Sequence, residues 1–117
     1  MKIIPNFEKL HFVEKLKQNP DRHFEGGLRV NGLIKKNETN NPLISIITVV
    51  KNNTKFIEET IQSVLNQKYK NIEYIVIDGL SSDGTLEKIL KYQNKIDYIV
   101  SERDEGLYDA MNKGLSL

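Results

Sequence analysis

Cysteine is absent from this 117-residue chain. That removes disulfides, thiolate nucleophiles and cysteine-ligated metal sites together, and it suits a reducing compartment such as the cytoplasm. No apolar run approaches the roughly 20 residues that cross a bilayer, and the opening MKIIPNFEKL lacks the apolar core of a signal peptide. Charge of one sign is missing too: 17 basic residues stand against 16 acidic, a formal +1. A nucleic-acid binder would carry a concentrated basic stripe, and no basic and aromatic interleaving is present, so nucleic acid is not an expected partner. Histidine is scarce. His11 and His23 have no neighbouring carboxylate at metal-site spacing, so both read as surface or packing residues. There is no GxGxxG and no GxxxxGK[ST], which leaves out the usual phosphate cradles, and there is no internal repeat. A soluble cytoplasmic protein is the expectation that remains.

What is present is a succession of apolar, β-branched runs. Ile44 to Asn52 (ISIITVVKN) has the length and composition of a strand buried on both faces and reads as the central parallel strand. IEYIVI at 72–77 and IDYIV at 96–100 follow it, separated by helical patterns. Strand, helix, strand, helix, strand implies right-handed crossovers, a parallel sheet and ligand chemistry outside the carboxyl ends of the strands. The loops after Val50, Ile77 and Val100 are therefore where a site is expected.

Between the first two strands, Phe56, Ile57, Thr60, Ile61, Val64 and Leu65 share one helical face, with Asn53 and Thr54 as candidate N-caps and Asn66 to Lys70 as its end. Glu58 and Glu59 suit the positive end of that helix dipole. The second strand runs into Asp78-Gly79-Leu80-Ser81-Ser82-Asp83-Gly84-Thr85. A carboxylate followed by glycine at the tip of a parallel strand can accept hydrogen bonds from a ribose or a base N–H, so Asp78 is the leading site residue. The alternative is that Asp78 closes its own turn by an Asx-type bond. Ser82 and Asp83 stand just before Leu86, Ile89 and Leu90, where capping the second helix accounts for them. After the third strand, Asp104 could cap a helix carrying Leu107, Ala110, Met111 and Leu115, and Gly106 would let backbone approach a ligand.

Residues 1–41 differ in character and read as an extension and linker, with 42–117 as the α/β unit. Phe7, Leu10, Val13 and Leu16 recur at three-residue steps behind Pro5, which suggests a short amphipathic helix to about Lys17. Gly26-Gly27 reads as a flexible corner and Lys35 to Asn41 as a solvated linker. The extension could cover a sheet edge, form a homodimer or touch a membrane surface.

From about Pro42 onward, ISIITVVKNN, ETIQSVLNQKYKNIEYIVIDGLSSDGT and IDYIVSERDEGLYDAMNKG together resemble the N-terminal half of a family 2 glycosyltransferase of the GT-A fold. GGLR at 26–29 also resembles the leader of some bacterial members. The resemblance implies a Rossmann-like nucleotide-binding half and transfer of a sugar from a nucleotide-diphospho-sugar donor, commonly UDP-linked, to a saccharide or lipid-linked acceptor. Cell-surface polysaccharide synthesis, cytoplasmic or at the inner face of the membrane, would be the setting. It places Val49, Lys51, Asp78 and Gly79 against the nucleoside and Asp104, Gly106 and Asn112 near the donor pocket.

Two departures stand out. Many relatives end the first strand in Pro-Thr-Tyr-Asn, where this chain has Val49-Val50-Lys51-Asn52, and many carry Asp-Asp-Gly-Ser where it has Asp78-Gly79-Leu80-Ser81. One carboxylate stands in place of two. The family's Asp-x-Asp, which binds Mg²⁺ or Mn²⁺ at the diphosphate, and its later general base are expected beyond Leu117, so the resemblance assigns no catalytic residue and no metal ligand within these 117 residues. The expectation is a truncated donor-binding half without transferase activity by itself.

Overall fold

The computed structural model describes the backbone of residues 7–9 and all of residues 22–103. The expectations for Asp104, Gly106 and Asn112, for the helical face from Leu107 to Leu115, and for catalytic residues beyond Leu117 all lie outside the described residues.

Strands β1 (Phe7–Lys9), β2 (Phe24–Gly26), β3 (Leu33–Lys35), β4 (Ile44–Val50), β5 (Ile72–Asp78) and β6 (Tyr98–Ser101) alternate late in the chain with helices α1 (Ile57–Leu65) and α2 (Thr85–Leu90). β4, β5 and β6 form a parallel sheet in the order β6-β5-β4, and β2 adds antiparallel on the far side of β6. The sheet is thus mostly parallel, as the alternating runs imply.

The position of the first run differs from expectation. β5, not β4, lies inside the sheet and is buried along its whole length, while β4 is an edge strand among the described residues, with Ile44 and Ser45 exposed. A run of β-branched residues reports that a strand is apolar, but lateral order is set by which strands exchange backbone bonds, and that does not show in one strand's composition.

Side-chain alternation divides the core between the two faces of the sheet. Tyr74, Val76 and Ile99 point to the face where Ile57 and Ile61 of α1 and Leu86 and Ile89 of α2 pack. Ile75, Ile77, Tyr98 and Val100 form a second cluster with Ile47 and Val49. Each fully buried aliphatic side chain contributes about 1.5–3 kcal/mol.

The N-terminal segment is bound into this body by close packing and charge. Of the helix expected to about Lys17, residues 7–9 are a strand paired antiparallel with β3, because a three-residue apolar recurrence over so few turns cannot outweigh a strand partner, and residues 10–17 lie outside the described residues. Gly26-Gly27 is a tight contact, not a flexible corner. Gly27 has φ 94°, and a Cβ there would sit 2.8 Å from the Ile96 carbonyl oxygen, so only glycine fits as Leu28 N and Arg29 N reach the Ile96 and Asp97 carbonyls. Arg29 is then buried, ion-paired to Glu73 of β5 and 5.9 Å from the centre of the Tyr98 ring. Lys35 reaches Asp97 at 3.1 Å and the Ile72 carbonyl.

Asp97 accepts from the Tyr74 backbone N–H at 2.7 Å, yet burial raises its carboxyl pKa, with the Lys35 charge acting in the opposite direction. A raised carboxyl pKa means that the folded state holds this proton above the pH at which the unfolded chain releases it. The contribution of Asp97 to stability is therefore full below about pH 4 and falls as pH rises through the raised native pKa. Asp97→Asn, which cannot ionise, is expected to gain in melting temperature relative to the parent as pH is raised from 4 to 8. A difference that stays flat or narrows would show that the Lys35 charge outweighs burial.

Candidate functional site

The three parallel strands finish side by side. Val50 stands opposite Asp78 and Asp78 opposite Ser101, so the loops at 51–56 and 79–84 and the residues Glu102 and Arg103 leave the sheet at one edge. Parallel strands open their crevice there. Backbone bonds tie the ends together: Gly79 N donates to the Val50 carbonyl at 2.8 Å and Glu102 N to the Asp78 carbonyl at 3.1 Å.

Asp78 is 0% exposed. Its Oδ1 accepts from the Ser81 hydroxyl at 2.5 Å, and its Oδ2 accepts from Ser81 N at 3.1 Å and the Ser101 hydroxyl at 2.7 Å. Of the two roles that the sequence allows this carboxylate, the turn-closing one is in place. Two serines, one local and one from the neighbouring strand, occupy its acceptor sites.

From Ser81 the bonding continues across the rim. Asn52 N donates to Ser81 Oγ, and Asn52 Oδ1 accepts from Ser82 N, both at 2.8 Å, so the loop after β4 and the loop after β5 are joined by a reciprocal pair. Asn53 N donates to Thr85 Oγ1 at 2.9 Å, and the carboxylate of Asp83 accepts from Thr85 N, the Thr85 hydroxyl and Thr54 N. The Thr85 hydroxyl is the main cause of a lowered pKa at Asp83, followed by its other hydrogen bonds. The N-cap of α2 is Gly84, with no side-chain cap, so neither Ser82 nor Asp83 is the cap that was expected; Asp83 instead holds Thr85, the first residue of the helix, to the loop after β4. At α1 the expected caps differ: the helix follows Phe56 with no side-chain cap, and the Asn53 carbonyl, not its side chain, receives Ile57 N. The backbone N–H groups of Asn53 and Thr54 are drawn to the neighbouring loop instead.

The other expected residues take distinct places. Val49 is half-buried against the Ile75 and Ile77 cluster, Lys51 is exposed at the rim, and Gly79 is buried between the strand ends. Residues that sequence reasoning missed are Ser101, Ser81 and Asn52, together with Glu102, which is buried and lies 3.4 Å from Arg22. Arg22 also pairs with Glu25, whose carboxylate receives the Tyr98 hydroxyl, so the N-terminal segment reaches the rim. Ser101 could have been found by aligning the second and third strand ends, had their register been known. Among the described residues no group of three or more histidine and acidic side chains gathers to hold a metal, so these residues do not fit the divalent cation that the resemblance implies. Nor, among them, is any helix long and apolar enough to cross a membrane.

Known proteins resemble the part of the chain that carries this rim. The model of glycosyl transferase family 2 matches residues 45–117, from the second residue of β4 onward. The chain belongs to that family. A glycosyltransferase of Mycobacterium tuberculosis is 39% identical over 79 residues, covering 67% of this chain and 30% of the relative. One of Rickettsia typhi is 42% identical over 80 residues, covering 68% and 25%. A Bacillus subtilis protein named for teichuronic acid biosynthesis, TuaG, is 36% identical over 77 residues, covering 63% and 31%. This family 2 chain therefore spans less than a third of the length of these relatives. Among solved structures, the mannosyltransferase PcManGT of Pyrobaculum calidifontis, in complex with GDP-Man and Mn²⁺, aligns with a TM-score of 0.60 at 25% identity, over 68% of this chain and 25% of that one. The mixed α/β body with its mostly parallel sheet is the Rossmann-like half of the GT-A fold.

Proposed function

We propose that this chain supplies the nucleotide-sugar-binding part of a glycosyl transfer, with the nucleoside diphosphate seated over the carboxyl ends of β4, β5 and β6. The observation that carries the reading is the laced rim itself. Asp78, Ser81, Ser101 and Asn52 fix two adjacent loops at the edge where parallel sheets bind nucleotides, within the region that the family model matches. The donor-bound mannosyltransferase neighbour supports a nucleotide-sugar as ligand. UDP is the nucleotide that the family resemblance commonly implies, and a saccharide or lipid-linked acceptor in cell-surface polysaccharide synthesis fits the relative named for teichuronic acid biosynthesis.

In this reading the chain's own residues bind and orient the donor. Lys51 at the exposed rim offers a cation to the phosphates, and the exposed faces of the 51–56 and 79–84 loops meet the nucleoside. A divalent metal would offset the charge of the departing diphosphate, but the described residues hold no set of ligands for it.

Calorimetric titration of the purified chain with UDP and with GDP, each with and without Mn²⁺, tests the assignment. Saturable binding in the micromolar-to-millimolar range that hardly responds to Mn²⁺ is expected, about 4–8 kcal/mol of binding free energy. Absence of heat with both nucleotides would sink the proposal.

A further inference from the structure

Leu80 combines two properties that are each unfavourable for a leucine. Its backbone is left-handed, with φ 59°, and its side chain is exposed to 43%. A left-handed conformation suits glycine and asparagine, because a Cβ crowds the following carbonyl, and an exposed leucine gains little from burial in return. The surroundings enforce the conformation. Gly79 N is bound to the Val50 carbonyl and Ser81 is held at both N and Oγ, so Leu80 is the link between two fixed residues. A strained residue kept in place by its neighbours at a binding edge is an observation from which a role can be argued.

Its neighbours narrow what that role is. Asp78 is buried with both carboxylate oxygens engaged, and Gly79 has no side chain. The tip of β5 therefore exposes an aliphatic side chain and no free carboxylate. We propose that Leu80 is a base-binding contact, packing its side chain against the planar face of the donor's nucleobase while Asp78 acts only as the positioning residue beneath it. This rests on the assignment of the crevice to a nucleotide-sugar. An aliphatic side chain touches the faces of uracil and guanine alike and reads no hydrogen-bonding edge, so the contact favours a base over no base without choosing strongly among bases.

The test uses Leu80→Gly, Leu80→Asn and Leu80→Met in the full chain, with melting temperature and calorimetric binding of UDP, UMP and GDP as readouts. Glycine and asparagine accept the left-handed backbone and are expected to raise the melting temperature by about 2–4 °C, while UDP binding weakens by about threefold to tenfold. The same fold-loss is expected for UMP and GDP, because the lost contact is to the base, and Leu80→Met keeps parental binding. Binding by Leu80→Gly equal to or tighter than the parent overturns the contact while leaving the nucleotide assignment intact. A loss confined to UDP and GDP, absent with UMP, also overturns it, since it would place Leu80 at the diphosphate. No binding by the parent to any of the three overturns the underlying assignment and the contact with it.

Discussion

Arg29→Ala is expected to destabilise the fold by about 3–5 kcal/mol, read as a lower urea midpoint at unchanged slope. The guanidinium is buried against Glu73, the second residue of β5, whose side chain is itself 8% exposed. Removing one partner leaves the other charge in a poorly solvating interior, and that penalty exceeds the net worth of the pair. The loss has a second part. Arg29 also lies over the face of Tyr98, and that contact goes with the side chain, whereas the bond from the Arg29 backbone N–H to the Asp97 carbonyl stays. Replacing both charges with apolar residues, Arg29→Met with Glu73→Leu, is expected to recover most of the stability, because no uncompensated charge remains. A single substitution that costs under about 1 kcal/mol would show that water reaches the pair as it does at a surface bridge.

The second large effect is at Asp78. Asp78→Ala removes the acceptor for Ser81 N and for two hydroxyls, and at least one buried donor is left without a partner. A cost of about 2–4 kcal/mol follows, together with weakening of UDP binding by tenfold or more as the 79–84 loop loses its shape. Asp78→Asn keeps one acceptor oxygen and is expected to lose about half as much of each. Ser101→Ala, which removes one of the three bonds and leaves the carboxylate its two local donors, is expected to cost about 1 kcal/mol. The pairing of the two losses is the diagnostic feature. If binding collapsed while stability stayed at the parental value, Asp78 would be touching the nucleotide directly and the positioning role would be wrong.

The succession of elements was legible along the chain because burial writes itself into composition. β5 reads as a continuous apolar run because both its faces are covered, and α1 and α2 show a helical apolar stripe because each presents one face to the sheet. The same logic located the edge proposed for the donor, since alternating strands and helices can only place parallel strand ends together. Glu73 is an acid inside IEYIVI, and nothing in the sequence names its partner 44 residues away. Gly27 carried a true signal with the wrong cause attached, because a glycine needed for close backbone approach and one needed for a loose turn look the same in sequence.

By itself, then, the sequence determined a parallel α/β unit of family 2 character, the edge at which its strands finish and an acidic tip at that edge, all of which follow from local periodicity and from motifs read in order. Tertiary structure alone decided that β5 lies inside β4, that β2 closes the side of β6 and that Arg29 and Glu73 meet. It also decided what Asp78 touches: whether an acid at a strand tip faces solvent or is consumed by its neighbours depends on the register that brings Ser101 beside it. Register is a relation between strands distant in the chain, and no single strand's composition encodes it.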